Sequence, residues 1–489
     1  MATARDDRFV GKAWIESLGF KALDCPMSAK IEEWRHWYEA SGDYWDGTDE
    51  DSQGNTFKVH RLSVHPAEMV CEDWASLLFN EDPDSGCIAT VGDSEDGYEA
   101  ANEALSEWLR DTDFAHRGRE LVEDAMWSGT AAWELRLEGV PEDGSPDAGV
   151  KVAFARHDAR HIIPLTYDGD DCTECAFTSG VTVGGEPYTQ VTVHRAAEGG
   201  GREVLTAFFG EKGEQVALPG YSSRVAIPGA SVPTFAIVRP GIKNTYWPFS
   251  PFGVAVFDRA MGTVALADDA VDNMHRDIYL GQKMLGIPEH LLRREADGTY
   301  TVPRAKDQQL FLTLSDGSNV YDRGGLGVVE YNPDLRMSDN RLALKTALEV
   351  LGMRCGLGRD YYGLDETGRS VVKTATEVAS SERTLLRNAE KHKHSIEAGV
   401  RRICESALEL MRLLQGLAIP DCTGRVRVHL ADAIIEDDAT ERDRDLKDVA
   451  AGVMSGWEYR AKWYGESEDE ARAGAAEASE AGLLGAPLV

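Results

Sequence analysis

Between Val254 and Leu285 an apolar residue returns at every seventh position: Phe257, Val264, Val271, Ile278 and Leu285. A second line, Met261, Asp268, His275 and Gln282, turns polar after its first member. This predicts a helix of about 48 Å with one narrow apolar seam, the pattern of a rod that packs against neighbouring helices. Asp258, Asp268, Asp269 and Asp272 lie toward one side of it, interrupted by Arg276, a side that reads as a solvated face or, equally, as one lining a pore. Pro288 closes the segment, and a shorter helix is expected from 338 to 354. From 374 to about 415, Val378, Leu385, Ala389, Ile396, Val400, Ile403, Ala407, Leu410 and Leu414 recur at three and four, giving a second rod of roughly 60 Å. Thr374 and Glu377 have capping-box spacing at its start.

The rest of the chain is mixed, so the fold class is α+β, mainly helical. Residues 8–130 read as helices: Ile31, Trp34 and Tyr38 share a face, as do Met69, Val70, Trp74, Leu77 and Leu78, and a further helix runs from Glu103 to Trp127 and ends at Gly129. From 131 to 240, short alternating runs at 132–137, 150–154, 175–178, 190–194, 204–209 and 234–238, separated by Gly, Asp and Pro, predict antiparallel strands. Further strands are expected at 299–302 and 309–314 within a compact insert, and at 425–430 before an acidic, Ala-rich helical tail carrying Trp457, Tyr459, Trp463 and Tyr464.

Chemistry is conspicuous by its scarcity. Asp49, Asp51, Gln53 and Gly54 imitate a calcium loop, but His60 stands where a bidentate Glu is required, so a polar turn is expected. Cys172 and Cys175 lack a second ligand pair, His392 and His394 point to different helix faces, and His157 and His161 lie in a strand context without ligand geometry. No phosphate-binding loop, zinc-protease helix or nucleophile elbow occurs, and the glycines at 356–363 do not match a dinucleotide fingerprint. No catalytic residue, metal or cofactor is assigned, and the chain is expected not to be an enzyme. The eight sparse cysteines fit a reduced compartment, and neither an apolar leader nor a membrane-length apolar run is present, so a soluble protein made in the cytoplasm is expected. Static gripping of nucleic acid usually brings basic patches, and a net charge of −33 fits either a solubility device or a surface that DNA must slide past without binding.

The order of a helix of about 30 residues, a compact insert, a shorter helix, a loop and a very long helix resembles the portal (head–tail connector) proteins of tailed double-stranded DNA bacteriophages of siphovirus type. Local strings strengthen it: Val70-Cys-Glu-Asp-Trp-Ala-Ser-Leu-Leu-Phe-Asn-Glu, Ser250-Pro-Phe-Gly-Val-Ala-Val-Phe, Lys373-Thr-Ala-Thr-Glu-Val, and Ile434-Ile-Glu-Asp followed by Met454-Ser-Gly-Trp-Glu-Tyr-Arg. The resemblance implies a homo-oligomeric ring of about twelve subunits at one capsid vertex of the virion, assembled in the host cytoplasm. Double-stranded DNA would pass through it during packaging and ejection. Residues 1–250 would form the wing, 251–287 the stem helix, 288–336 the clip, 337–354 a second stem helix, 355–373 the tunnel loop, 374–420 the long wing helix and 421–489 the crown. The tunnel loop would offer Arg359, Tyr361, Tyr362 and Arg369 to DNA. The clip, with Arg293, Arg294, Arg304 and Lys306, would meet the large terminase and later the head–tail adaptor, while capsid and scaffolding proteins surround the ring; no membrane is involved.

On this reading Asp268, Asp269 and Asp272 line an acidic channel through which DNA slides without sticking. The alternatives are a metal-dependent phage nuclease or hydrolase built from scattered carboxylates, and another virion structural protein such as an adaptor or minor capsid component.

Overall fold

The computed structural model describes residues 10–21, 25–50, 53–81, 87–92, 97–141, 145–218, 221–281, 284–288, 311–314, 329–331, 334–363 and 375–430, and in a second compact unit 442, 445–449, 454–464 and 471–475. The first unit spans Met1–Ala431 and the second Asp432–Val489. Arg293, Arg294, Arg304, Lys306, Arg369 and the cap residue Thr374 lie outside the described residues, as does the strand expected at 299–302. The class is α+β, as expected.

Five helices open the first unit: α1 (Lys12–Ser17), α2 (Ser28–Tyr38), α3 (Pro66–Leu78), α4 (Glu99–Asp111) and α5 (Phe114–Ser128). The single helix expected from Glu103 to Trp127 is two. Asp113 adopts φ 51°, and Thr112 Oγ1 donates back to Trp108 O at 2.7 Å, so the backbone turns out of register before Phe114. Gly129 ends α5 in the left-handed region (φ 79°), where a Cβ would also lie 2.9 Å from Val254 Cα. The polar turn between α2 and α3 is a hairpin, β1 (Asp46–Glu50) with β2 (Thr56–His60). His60 faces Asp46 across it, with Nδ1 and Oδ1 2.6 Å apart, which uses the histidine that broke the calcium pattern.

The β region is two sheets. A three-stranded one has the order β12 (Phe235–Val238), β4 (Ala131–Glu138), β5 (Lys151–Asp158). The larger runs β10 (Gln215–Val216), β9 (Arg202–Phe209), β8 (Glu186–Ala196), β7 (Asp171–Val183), β6 (Ile162–Asp168), with β11 (Arg224–Ile227) also on β9. All pairings are antiparallel. Both faces of the larger sheet are covered. Val191, Val193, Leu205 and Phe209 pack on Ile15 of α1, while Phe177 on the opposite face joins the main core.

α5 brings the two halves together. Phe114 stacks on Trp133 of β4 (5.4 Å, 20°), and Phe79, Trp74 and Trp34 complete a core of fully buried rings, each worth about 2–3 kcal/mol of transfer free energy. Beside it, burial lifts the Asp124 carboxyl to about 7, with Asp158 adding repulsion against the hydrogen bond from Trp127 Nε1. A carboxyl held above its usual 3.8 contributes stability that is complete below that value and lost as pH rises through about 7. Asp124→Asn is therefore expected to raise the melting temperature more at pH 8 than at pH 5. Equal shifts at both values would refute it.

After β12 an ordered loop leads to α6 (Met261–Leu280), then the strands β13 (Met284–Pro288), β14 (Phe311–Leu314) and β15 (Val329–Tyr331), then α7 (Met337–Cys355) and α8 (Ala375–Leu410). The helix expected over 254–285 is shorter at both ends. Residues 252–255 form no regular element and 256–260 are turn and 3-10 helix, with Val256 N donating to Met126 O at 3.0 Å, and Leu285 sits in a sheet opposite Phe311 and Glu330. The heptad is thus split: Phe257 and Val264 are fully buried, while Ile278 is 53% exposed.

α8 is the expected rod, about 54 Å long. Ile396, Val400, Ile403, Ala407 and Leu410 are buried, and a wider π-helical turn (Met411–Gln415) ends at Gly416 with φ 70°. At Gly399 a Cβ would lie 2.5 Å from Val238 Cγ2, so the helix rests directly on β12. His392 is buried and accepts from Gly241 N (3.0 Å), with desolvation lowering it to about 4, whereas His394 is exposed. β16 (Val426–Val428) pairs with β3 (Ala89–Val91), so this strand belongs to the first unit rather than to a C-terminal one beginning at 421. Within the second unit, α9 (Gly456–Tyr464) gathers Tyr459, Trp463 and Tyr464, and Asp445 accepts from Lys462 Nζ (2.8 Å) and Trp463 Nε1 (3.0 Å).

Candidate functional site: the paired helices and the tyrosine loop

α6 and α7 run along one another, clamped at one end by Asp277, which accepts from Arg336 Nη2 and Asn340 Nδ2, both at 2.9 Å. The Arg336 guanidinium holds the Asp277 carboxyl below its usual range. Outward from the pair stand Leu266, Ile278, Tyr279, Leu335, Leu342 and Met353, all exposed. At 100° per residue Leu266, Ile278 and Tyr279 fan over more than half of the α6 circumference, so these residues project to several sides and do not form one seam.

Of the three α6 acids expected to line a channel, Asp268 and Asp272 are buried within the chain itself and Asp269 is half-buried. Asp268 is fully buried: Oδ2 accepts from Trp45 Nε1 and Ser63 Oγ, each at 2.9 Å, and Oδ1 from Val64 N at 3.0 Å. Burial raises its carboxyl, against these three hydrogen bonds. Asp272 is also buried, accepting from Leu62 N (3.2 Å) and pairing with Arg276 Nε (2.8 Å). Asp269 accepts from Tyr44 OH at 2.8 Å. One turn before α6, Asp258 accepts from Trp34 Nε1 (2.8 Å) and Tyr246 OH (3.0 Å), with Lys30 Nζ at 3.3 Å. The physical reason is a donor surplus. The segment 30–64 brings indole, phenol and backbone N–H groups into the interior, and a buried donor needs an acceptor. The stripe read as a solvated or pore-facing row is a structural ladder holding the N-terminal segment to the helix.

The loop after α7 is tightly specified. Gly356 (φ 90°) and Gly358 (φ 108°) turn the chain so that Gly358 N donates to Gly352 O (3.1 Å), and a Cβ at Gly352 would sit 2.2 Å from that glycine's carbonyl oxygen, Gly358 O. Asn388 Nδ2 of α8 donates to Gly356 O (2.8 Å), and Trp74 Nε1 to Cys355 O (3.1 Å). Tyr362 OH donates to Asp73 Oδ2 of α3 at 2.6 Å, and the pair is largely desolvated, which raises both groups. Tyr362 is therefore a structural tether and not an open contact. Tyr361 packs edge-on against Tyr362 (5.0 Å, 86°) and keeps a 39% exposed ring; burial pushes its hydroxyl up to about 12. Arg359 is exposed at the rim, paired with Glu349 at 3.1 Å.

One buried cluster was not legible in the sequence as a site. Glu134 of β4 lies fully buried between the sheets and accepts from His157 Nε2 (2.7 Å), His194 Nε2 (3.1 Å), Arg136 Nε (3.2 Å) and Thr192 Oγ1. His194 Nδ1 pairs in turn with Thr234 Oγ1 at 2.6 Å. Burial alone would raise the Glu134 carboxyl, but Arg136 and the two histidines outweigh it and hold it well below its usual value. Both oxygens are saturated, so the cluster serves as a polar bolt between sheets. His157, read from the sequence as lacking ligand geometry, is one arm of this bolt. Among the described residues no group of three His, Cys, Asp or Glu side chains is placed to hold a metal ion, and no helix is long and apolar enough to cross a membrane.

No family model matches the chain, and no curated protein matches it. Among solved structures it is similar to a chain described as "Neck of empty GTA particle computed with C6 symmetry", with a TM-score of 0.38 and 14% identity over 81% of this chain and 88% of that one. A superposition this loose establishes neither a shared fold nor a shared function.

Proposed function

We propose that the chain is a portal subunit: one of a ring of copies at a capsid vertex of a tailed phage, forming the passage for DNA during packaging and ejection. The observation that carries this reading is the helical pair. α6 and α7 flank a small three-stranded sheet, lead through a tethered loop into a 36-residue helix, and leave large apolar side chains exposed, with Ile278 and Leu342 among them. That order of elements, with apolar side chains left open on a chain of net charge −33, fits a helical pair set among identical neighbours.

In this reading the protein acts by shape and not by catalysis. Arg359 and Tyr361 remain the described contacts the loop offers to DNA, while Tyr362 and the buried acids of α6 hold the scaffold. The terminase and the adaptor would dock on the insert at 288–336.

Negative-stain microscopy of the purified chain tests the proposal, with closed rings around a hole of duplex width expected, and no magnesium-dependent nuclease or ATPase turnover. A chain that stays monomeric across concentration and salt, or that cleaves DNA, would overturn it.

A further inference from the structure

Phe249 is the most anomalous side chain of the described residues. It is 85% exposed, and its backbone sits at φ 59°, a region that bulky residues avoid and that Asn or Gly would occupy freely. The loop around it is densely hydrogen-bonded. Asn244 Oδ1 accepts from Tyr246 N (2.9 Å) and Trp247 N (3.0 Å), Asn244 Nδ2 donates to Phe252 O (2.9 Å), and Ser250 Oγ donates to Trp247 O (2.8 Å). Trp247 stacks on Phe252 (5.6 Å, 21°), and Tyr246 OH is bonded to Asp258. Asn244, Trp247 and Ser250 are fastened by these bonds while the Phe249 ring is held out, in a conformation that costs free energy and gains no burial. Strain that the surroundings over-determine is a pointer to function.

We propose that Phe249 is a knob that inserts into the groove at the N-terminal end of α5 on a neighbouring copy of the chain. This rests on the ring reading above and names the contact between subunits. The groove has a volume of about 350 Å³ and is lined by Cys87, Ile88, Leu109, Glu81 and Asp113, among others. Two arguments select it. First, position: the knob loop is anchored past the C-terminal end of α5, where Gly253 N donates to Thr130 Oγ1 (2.9 Å), while the groove opens at Asp113–Ala115. A helix of 15 residues, about 22 Å, separates them. A ring needs two different patches on each subunit, and features at opposite ends of one rigid helix meet that requirement. Second, charge: copies of so acidic a chain repel one another. Exposed Lys243 stands in the knob loop and exposed Arg259 follows it in sequence, whereas the groove's lining carries Glu81 and Asp113 and the neighbouring face of α4 adds exposed Glu103, Glu107 and Asp111, an acidic excess over Arg110 and the Arg119 bonded to Asn80.

The test compares wild type with Phe249→Gly and Phe249→Asp by analytical ultracentrifugation and microscopy. Because the ring of Phe249 touches solvent, both variants fold, and Phe249→Gly, relieved of its left-handed strain, melts no lower than wild type. Assembly should weaken at least about thirty-fold in each, as for loss of a central aromatic anchor. Lys243→Glu should weaken it too, with Glu81→Lys restoring it. Phe249→Cys under mild oxidation should give an intermolecular disulfide to Cys87, identified by peptide mapping and absent when Cys87→Ser is added. If wild type forms rings and the Phe249 variants assemble equally well without that crosslink, the knob is refuted and the ring reading stands. A crosslink mapping instead to Cys25 would overturn the choice of groove. A wild type that never associates would refute both.

Discussion

Asp268→Ala is expected to lower unfolding free energy by about 3 kcal/mol or more, because Trp45 Nε1, Ser63 Oγ and Val64 N lose their common acceptor. Asp268→Asn keeps one acceptor oxygen and should lose roughly half as much, and Asp269→Ala, which releases only the Tyr44 hydroxyl, about 1 kcal/mol. Asp268→Lys places a cation where indole and amide donors converge, and little folded protein is expected. Urea melts of the four variants give the order directly. An Asp268→Lys protein with wild-type stability and an altered interaction with DNA would restore the channel-lining role that the buried geometry removes.

Glu134→Ala should be at least as severe, about 3–5 kcal/mol, since it strands two imidazoles, a guanidinium and a hydroxyl between the sheets. Its pH dependence has a definite sign. The Glu134 carboxyl is held below its usual 4.5, so the stability it contributes is present above that value and is lost as pH falls through the folded value. The difference between wild type and Glu134→Gln should therefore persist down to about pH 4.5 and narrow below it. Chemical denaturation across that range measures it; a gap that widens in acid would mean that the carboxylate is not the acceptor at the centre of the cluster.

These two residues show how far a linear reading reaches. In β8 the alternation of Val191 and Val193 with Thr192 and His194 looks like core against solvent. The structure buries both rows, the valines under α1 and the polar row against Glu134, because a second sheet covers that face. Likewise the α6 acids fall on one side of a helical wheel, but whether that side meets water, DNA or a tryptophan depends on residues more than two hundred positions away. The strand that ends the stem pattern at Leu285 is set by pairing with Phe311 and Glu330, partners that no heptad count contains.

By itself the amino-acid order determined the α+β class, the antiparallel texture of 131–238, the helix over 337–355 and the long rod of α8, because apolar periodicity and turn residues act over a few positions. Only the tertiary structure decided which polar groups are buried, that Tyr362 is tied to Asp73 while Arg359 stays at the rim, and that Phe249 projects outward from a fixed loop. Those outcomes depend on matching donors to acceptors and on covering surfaces between segments distant along the chain, and that matching exists only once the chain has folded.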